Sequence, residues 1–132
     1  MQMAAQKTVP VDFDEVAALV ADDIQAVNRL ISSSLETDVS LVSQVSEYIV
    51  MSGGKRLRPL IVLLAARAMG YTGEQHVRAA TIIEFIHTAT LLHDDVVDGS
   101  ARRRGQDSAN SVFGNQASVL VGDFLYSRSF QM

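Results

Sequence analysis

A chain of 132 residues, 48% of them hydrophobic, holds enough apolar material for one core and too little for two domains. Its net charge of -4 argues against a general nucleic-acid binder, and the absence of cysteine excludes a disulfide framework and suits a reducing cytoplasm. Met1 to Pro10 contains no apolar run of the secretory kind, and the longest such run, Leu60 to Ala66, is far below the ~20 residues a membrane span requires, so a cytoplasmic protein without a membrane span is expected.

Asp12 opens an amphipathic helix running through about Leu35, with Phe13, Val16, Ala17, Val20, Ile24, Val27 and Ile31 at three-to-four spacing. Asp38 is placed to cap a second, which turns Leu41, Val42, Val45, Ile49 and Val50 inward. A third runs from around Lys55 to Met69 and ends at Gly70. Thr72 with Gln75 resembles a capping box for the fourth and longest, which reaches Asp98 and stops at Gly99. Ser100 to Asn110 reads as a polar loop, and Asn115 caps a last helix. With no repeat, low-complexity stretch or convincing strand, the fold class is all-α. Phe85, Phe113 and Phe124 are assigned to its core.

The chemistry concentrates at Asp94-Asp95-Val96-Val97-Asp98 and the basic run Arg102-Arg103-Arg104-Gly105. On a helix Asp94 and Asp98 stand one above the other, with Asp95 turned by about 100° from Asp94. Like charges so placed repel, and at a helix C-terminus the macrodipole disfavours them further. The apolar stretch Thr81 to Leu92 before them suggests that they end a buried helix, where carboxylates need a partner. A hard cation such as Mg²⁺ answers both demands, since it is commonly held by one or two carboxylates and completed by water and phosphate oxygens. The arginines beyond suit the same phosphates through the guanidinium fork. A short acidic motif can equally be a solvated helix end. An EF-hand is excluded because Val96 and Gly105 occupy ligand positions, and a zinc site from His87 and His93 lacks helical i, i+4 spacing and any cysteine.

Gly53-Gly54-Lys55-Arg56-Leu57-Arg58-Pro59 is the second constellation. Paired glycines let backbone approach a ligand closely, and Pro59 suits the first turn of the helix that follows. Cations at a helix N-terminus oppose the dipole unless an anion sits among them, so this segment reads either as a solvated basic turn or as a direct diphosphate site. Together the two constellations suggest two phosphorylated substrates side by side.

These motifs, Gly-Gly-Lys-Arg-x-Arg-Pro and Leu-Leu-His-Asp-Asp-x-x-Asp-x-x-x-x-Arg-Arg-Gly, with Gly114-Asn115 and Gly122-Asp123-Phe124-Leu125-Tyr126 after them, resemble the trans-isoprenyl diphosphate synthases. The stretch from about Tyr48 to Met132 is most similar to the long-chain polyprenyl branch that includes bacterial octaprenyl diphosphate synthases. The resemblance implies helices around a deep central cavity, and head-to-tail condensation of isopentenyl diphosphate with an allylic diphosphate such as farnesyl diphosphate. It places Lys55, Arg58, His87 and Arg104 on isopentenyl diphosphate, Asp94 and Asp98 on Mg²⁺, Asp95 in the same catalytic motif and Arg103 on the allylic diphosphate. The implied mechanism is metal-assisted departure of the allylic diphosphate and attack by the isopentenyl double bond on the carbocation, with proton loss to the released diphosphate. His87 alone on an apolar helix would otherwise be read as a core histidine, and His93 receives no role.

The family's second aspartate-rich motif, its Lys-Thr pair and the accompanying Gln do not occur in these 132 residues. Because Met132 falls inside an apolar helical pattern, the sequence reads as the N-terminal part of a longer enzyme, inactive alone. The last helix resembles the family's interface helix, which implies a homodimer. Ala89, five residues before Asp94, resembles the product-length position, where a small side chain leaves room for the long products used as ubiquinone side-chain precursors. Two rival readings are a non-catalytic dimerisation subunit and a terpene cyclase. The cyclase shares the aspartate motif but has no need of the Gly53 to Pro59 segment.

Overall fold

The computed structural model describes residues 10–52 and 55–132. Gly53 and Gly54, where backbone is expected to approach a ligand, lie outside the described residues, as do Met1 to Val9. The elements in chain order are α1 (Phe13–Ala18), α2 (Ala21–Ser34), α3 (Ser40–Met51), α4 (Leu57–Ala68), α5 (Gln75–Asp98), β1 (Arg102–Arg103), β2 (Gln106–Asp107), α6 (Ala109–Phe113) and α7 (Asn115–Gln131). The all-α expectation holds, apart from a two-stranded hairpin inside the segment read as a loop.

Helix α5 is the spine. Its buried residues, Ala80, Thr81, Glu84, Phe85, Thr88, Ala89, Leu92 and Asp95, recur at helical spacing and face α2, α4 and α7. Val27 and Ile31 of α2, Leu60 and Leu63 of α4, and Val121 and Leu125 of α7 complete the core with Val45 of α3. Phe85 is fully enclosed, whereas Phe113 and Phe124 only rest against the core. The helix is not apolar on every side of a buried rod, as the Thr81 to Leu92 run suggests. Ile83, Thr90, Asp94 and Val97 form an open stripe, with Val97 83% exposed.

Both predicted glycine stops form. Gly70 (φ 80°) donates to the Arg67 carbonyl and Tyr71 to that of Ala66, and Gly99 (φ 64°) is followed by the Ser100 amide bonding the Asp95 carbonyl. These are the paired closing bonds of a left-handed helix cap, which glycine enters without a Cβ penalty. The predicted starts fare differently. Asp12 caps α1 through Oδ1, but no side-chain cap forms from Asp38, Thr72 or Asn115. Instead Thr37 Oγ1 accepts from the Val39 amide, and Tyr71 Oη accepts from the amide of Gln75. The first helix also breaks in two at Leu19–Val20, where i to i+3 bonds tighten the turn and bury Val20 while leaving Leu19 outside. Leu41, expected inward, is exposed.

An ion cluster joins three helices. Arg67 of α4 grips Asp23 of α2 through Nε and Nη2 at 2.9 and 3.0 Å and donates Nη1 to the Tyr71 carbonyl, while His76 Nε2 of α5 stands 2.9 Å from the same carboxylate. The Arg67 guanidinium holds the Asp23 carboxyl below its ordinary range. His93 has an architectural position too. Its Nε2 lies 3.2 Å from the Val119 carbonyl and 3.3 Å from Asp123 Oδ1 on α7, and a Cβ at Gly122 would overlap the ring. Glycine at 122 is therefore what lets α5 and α7 close on each other around His93.

Candidate active site

Arg103 and Arg104 are delivered by the hairpin β1–β2, with Arg102 opposite Asp107 and Arg103 opposite Gln106. The turn residues Arg104 (φ 52°) and Gly105 (φ 79°) both have positive φ, the geometry that matches the twist of a two-residue hairpin. Its base is tied down at several points. Tyr48 Oη of α3 donates to the Asp107 carbonyl at 2.6 Å, and Ser108 Oγ and Asn110 Nδ2 both donate to that of Ser100 at 2.8 and 2.9 Å. A segment that reads as a polar loop is thus a fixed bracket for two guanidinium groups.

The three aspartates divide. Asp94 and Asp98 are exposed on the open face of α5, whereas Asp95 is 3% exposed and turned inward. It accepts from Arg103 Nη2 at 2.6 Å and Nε at 2.9 Å, a bidentate pair. This pair, with the further charges of Asp94 and Asp98, holds the Arg103 guanidinium above its ordinary pKa. Asp95 is the arginine's anchor, and the open carboxylates are those of Asp94 and Asp98. Among the described residues no group of three or more His, Asp or Glu side chains converges to hold a metal unaided. A pair of oxygen donors at i, i+4 nevertheless fits a hard cation that takes its remaining ligands from water and a diphosphate.

A cleft of about 350 Å³ is lined by Lys55, Arg56, Leu57, Arg58, Glu84, His87 and Arg104. It gathers all four residues assigned to isopentenyl diphosphate, from the start of α4, the middle of α5 and the hairpin tip. Arg56, Glu84, His87 and Arg104 also border a small pocket of about 30 Å³, where Arg103 joins them. Lys55 Nζ sits 5.1 Å over the Phe13 ring of α1, and Arg56 Nη1 is 3.3 Å from Glu84 Oε1. Glu84, an acidic residue inside an apolar helical run, and Arg56, which stands between Lys55 and Arg58 in the same motif, also line this cleft, although sequence reasoning assigns them no role. Ala89 is not on the open face. It is 1% exposed and belongs to the core, whereas Thr90 beside it is exposed.

Burial lowers the pKa of His87, and the charges of Arg58, Arg104 and Arg103 lower it further against an opposing pull from Glu84. Near neutral pH the imidazole is uncharged and offers one N–H donor. The unfolded chain then binds the proton more readily than the folded one, so stability is complete above about pH 6.5 and declines as pH falls below it toward the depressed folded value. His87→Gln should flatten that acid limb in urea melts between neutrality and pH 5, and an unaltered limb would show that other groups cause it.

Comparison with known proteins gives a consistent result. The polyprenyl synthetase family profile matches residues 39–132. The chain is 58% identical over 121 residues to octaprenyl diphosphate synthase of Escherichia coli (strain K12), a match covering 92% of this chain and 38% of that protein. Among solved structures, a decaprenyl diphosphate synthase from Rhodobacter capsulatus superposes with a TM-score of 0.86 at 50% identity, covering 89% of this chain and 37% of that one. A polyprenyl synthase from Caulobacter crescentus CB15, complexed with calcium and isoprenyl diphosphate, superposes with a TM-score of 0.88 at 45% identity, covering 94% and 38%. The chain thus spans somewhat over a third of the length of the relatives it matches, and it belongs to the polyprenyl synthetase family.

Proposed function

We propose that this chain is the N-terminal part of one polyprenyl diphosphate synthase domain and supplies its isopentenyl diphosphate site and part of the allylic diphosphate site. The observation that carries the reading is the cleft in which Lys55, Arg58, His87 and Arg104 meet from three separate segments. Isopentenyl diphosphate is the occupant, with neutral His87 donating a hydrogen bond and the cations taking the phosphate charge. The allylic diphosphate lies toward Arg103, whose fork is already set by Asp95. A divalent cation held by Asp94 and Asp98, with Mg²⁺ the preferred ion, would neutralise charge on the departing diphosphate. The calcium and isoprenyl diphosphate of the Caulobacter crescentus relative support both ligand classes. The similarity to octaprenyl diphosphate synthase supports a long polyprenyl product. In this reading the product is all-trans, is destined for ubiquinone side chains and is made in the cytoplasm.

A homodimer fits the exposed apolar side chains of α7, Leu120, Tyr126 and Phe130 among them. The same surface would serve a non-catalytic subunit, so the isolated 132-residue chain is assayed beside the full-length protein. The full-length protein is expected to condense isopentenyl and farnesyl diphosphates with Mg²⁺, to stop with EDTA, and to release polyprenyl products resolved by chromatography. The isolated chain should show no turnover. Lys55→Ala or Arg58→Ala should raise KM for isopentenyl diphosphate about tenfold or more, with a smaller effect on the allylic substrate. Equal effects on both substrates would contradict the division of sites.

A further inference from the structure

Arg56 (φ 55°, ψ 40°) and Arg104 (φ 52°) are the non-glycine residues with positive φ among those described, and both line the same cleft. Left-handed backbone is unfavourable for a side chain with a Cβ, and it persists where surrounding structure over-determines it. For Arg104 the hairpin and its ties to Tyr48, Ser108 and Asn110 do this. Arg56 stands at the N-cap of α4 with no side-chain cap, and its described side-chain hydrogen bond is the one from Nη1 to Glu84 Oε1, from the facing helix α5. Glu84 is 9% exposed and shares the cleft wall with Lys55, Arg58, His87 and Arg104. By charge alone a carboxylate there works against an incoming anion. Its contact with Arg56 is the one that gives it a use.

We propose, on the reading of this cleft as a diphosphate site, that Arg56 is a further diphosphate-binding residue and that Glu84 is its positioning residue, holding the guanidinium at the cleft before the anion arrives. One guanidinium donor is spent on Glu84, and a planar fork with five N–H groups has others to offer a phosphate. Anchoring Arg56 in advance removes part of the ordering cost of binding.

The test is calorimetric titration of the 132-residue chain with inorganic pyrophosphate, with circular dichroism to confirm folding. Lys55→Ala gauges the underlying reading and should weaken binding about tenfold. Arg56→Ala should weaken it by a similar factor. Glu84→Gln keeps an acceptor for Arg56 and removes the opposing charge, so its affinity should equal or exceed that of the parent. Glu84→Ala loses the anchor and should bind about five- to tenfold more weakly despite losing a negative charge. The double variant Arg56→Ala with Glu84→Ala should be no weaker than Arg56→Ala alone. If Glu84→Ala does not fold, Glu84→Asp, which keeps the charge but falls short of Arg56, should show the same weakening. Tighter binding by both Glu84→Ala and Glu84→Gln would mean that Glu84 only opposes the anion and would overturn the proposal. Arg56→Ala binding like the parent while Lys55→Ala fails would overturn the Arg56 assignment alone, and no pyrophosphate binding by the parent would overturn the site and the proposal together.

Discussion

Asp94→Ala and Asp95→Ala are expected to disable the full-length enzyme by different routes, although the two residues are neighbours. Asp94 is exposed and has no described protein partner at its carboxylate, and it stands one turn from a like charge at Asp98. Its removal should leave stability within about 0.5 kcal/mol of the parent, as for most surface positions. Its effect falls on the departing diphosphate: kcat should drop by about 10²–10³, with more Mg²⁺ needed for half-maximal rate. Asp95 is buried and takes both donors of the Arg103 fork. Truncating it leaves a partly buried guanidinium without its partner, a loss of about 2–3 kcal/mol visible in urea melts. Activity falls as well, but because Arg103 is no longer aimed. Equal melts for the two variants, or a destabilised Asp94→Ala, would show that the roles are not divided in this way.

The contrast between these two residues marks how far the sequence could be read. Helical spacing put Asp94 and Asp98 on one face, and the structure agrees, since an angular period depends only on the helix being there. What spacing left open was which face looks outward. The apolar run Thr81 to Leu92 reads as a buried helix with no exposed face, whereas α5 has an open stripe through Ile83, Thr90, Asp94 and Val97. Stops at Gly70 and Gly99 were legible because a left-handed cap needs glycine. Most starts after Asp12 were not, because an N-terminal amide donates to any nearby oxygen: Tyr71 Oη, a side chain from the preceding turn, accepts from the Gln75 amide in place of Thr72. The hairpin is not legible in the sequence because Arg-Gly is an unusual pair for its turn, and its base is tied down by Tyr48, Ser108 and Asn110. The cleft cations were found through motif resemblance. Glu84 and His93 were not, since their meaning lies in contacts with α4 and α7.

Substituting tyrosine at Ala89 and at Thr90 of the full-length protein is expected to separate packing from product length. In the proposed reading a growing polyprenyl chain extends from the Asp94–Asp98 face along α5, and one helical turn of about 5.4 Å is comparable with one extended isoprene unit. Side chains on a helix lean toward its N-terminus, so a residue one turn before Asp94 projects away from the carboxylate and into that path. Thr90 shares the face of Asp94 at i, i+4 and is exposed, so a ring there is accommodated without disturbing the core. Thr90→Tyr should therefore shorten the product to about three or four isoprene units with an unchanged melting curve. Ala89 lies in the packed core at 1% exposure, and a phenol ring must push its neighbours aside, a cost of about 1–3 kcal/mol. Ala89→Tyr should therefore lower the melting curve, and its product should shorten only if the displaced ring reaches the open face beside Thr90. Long products from Ala89→Tyr together with short ones from Thr90→Tyr would move the ruler to position 90, and long products from both would mean that this face of α5 does not wall the tunnel.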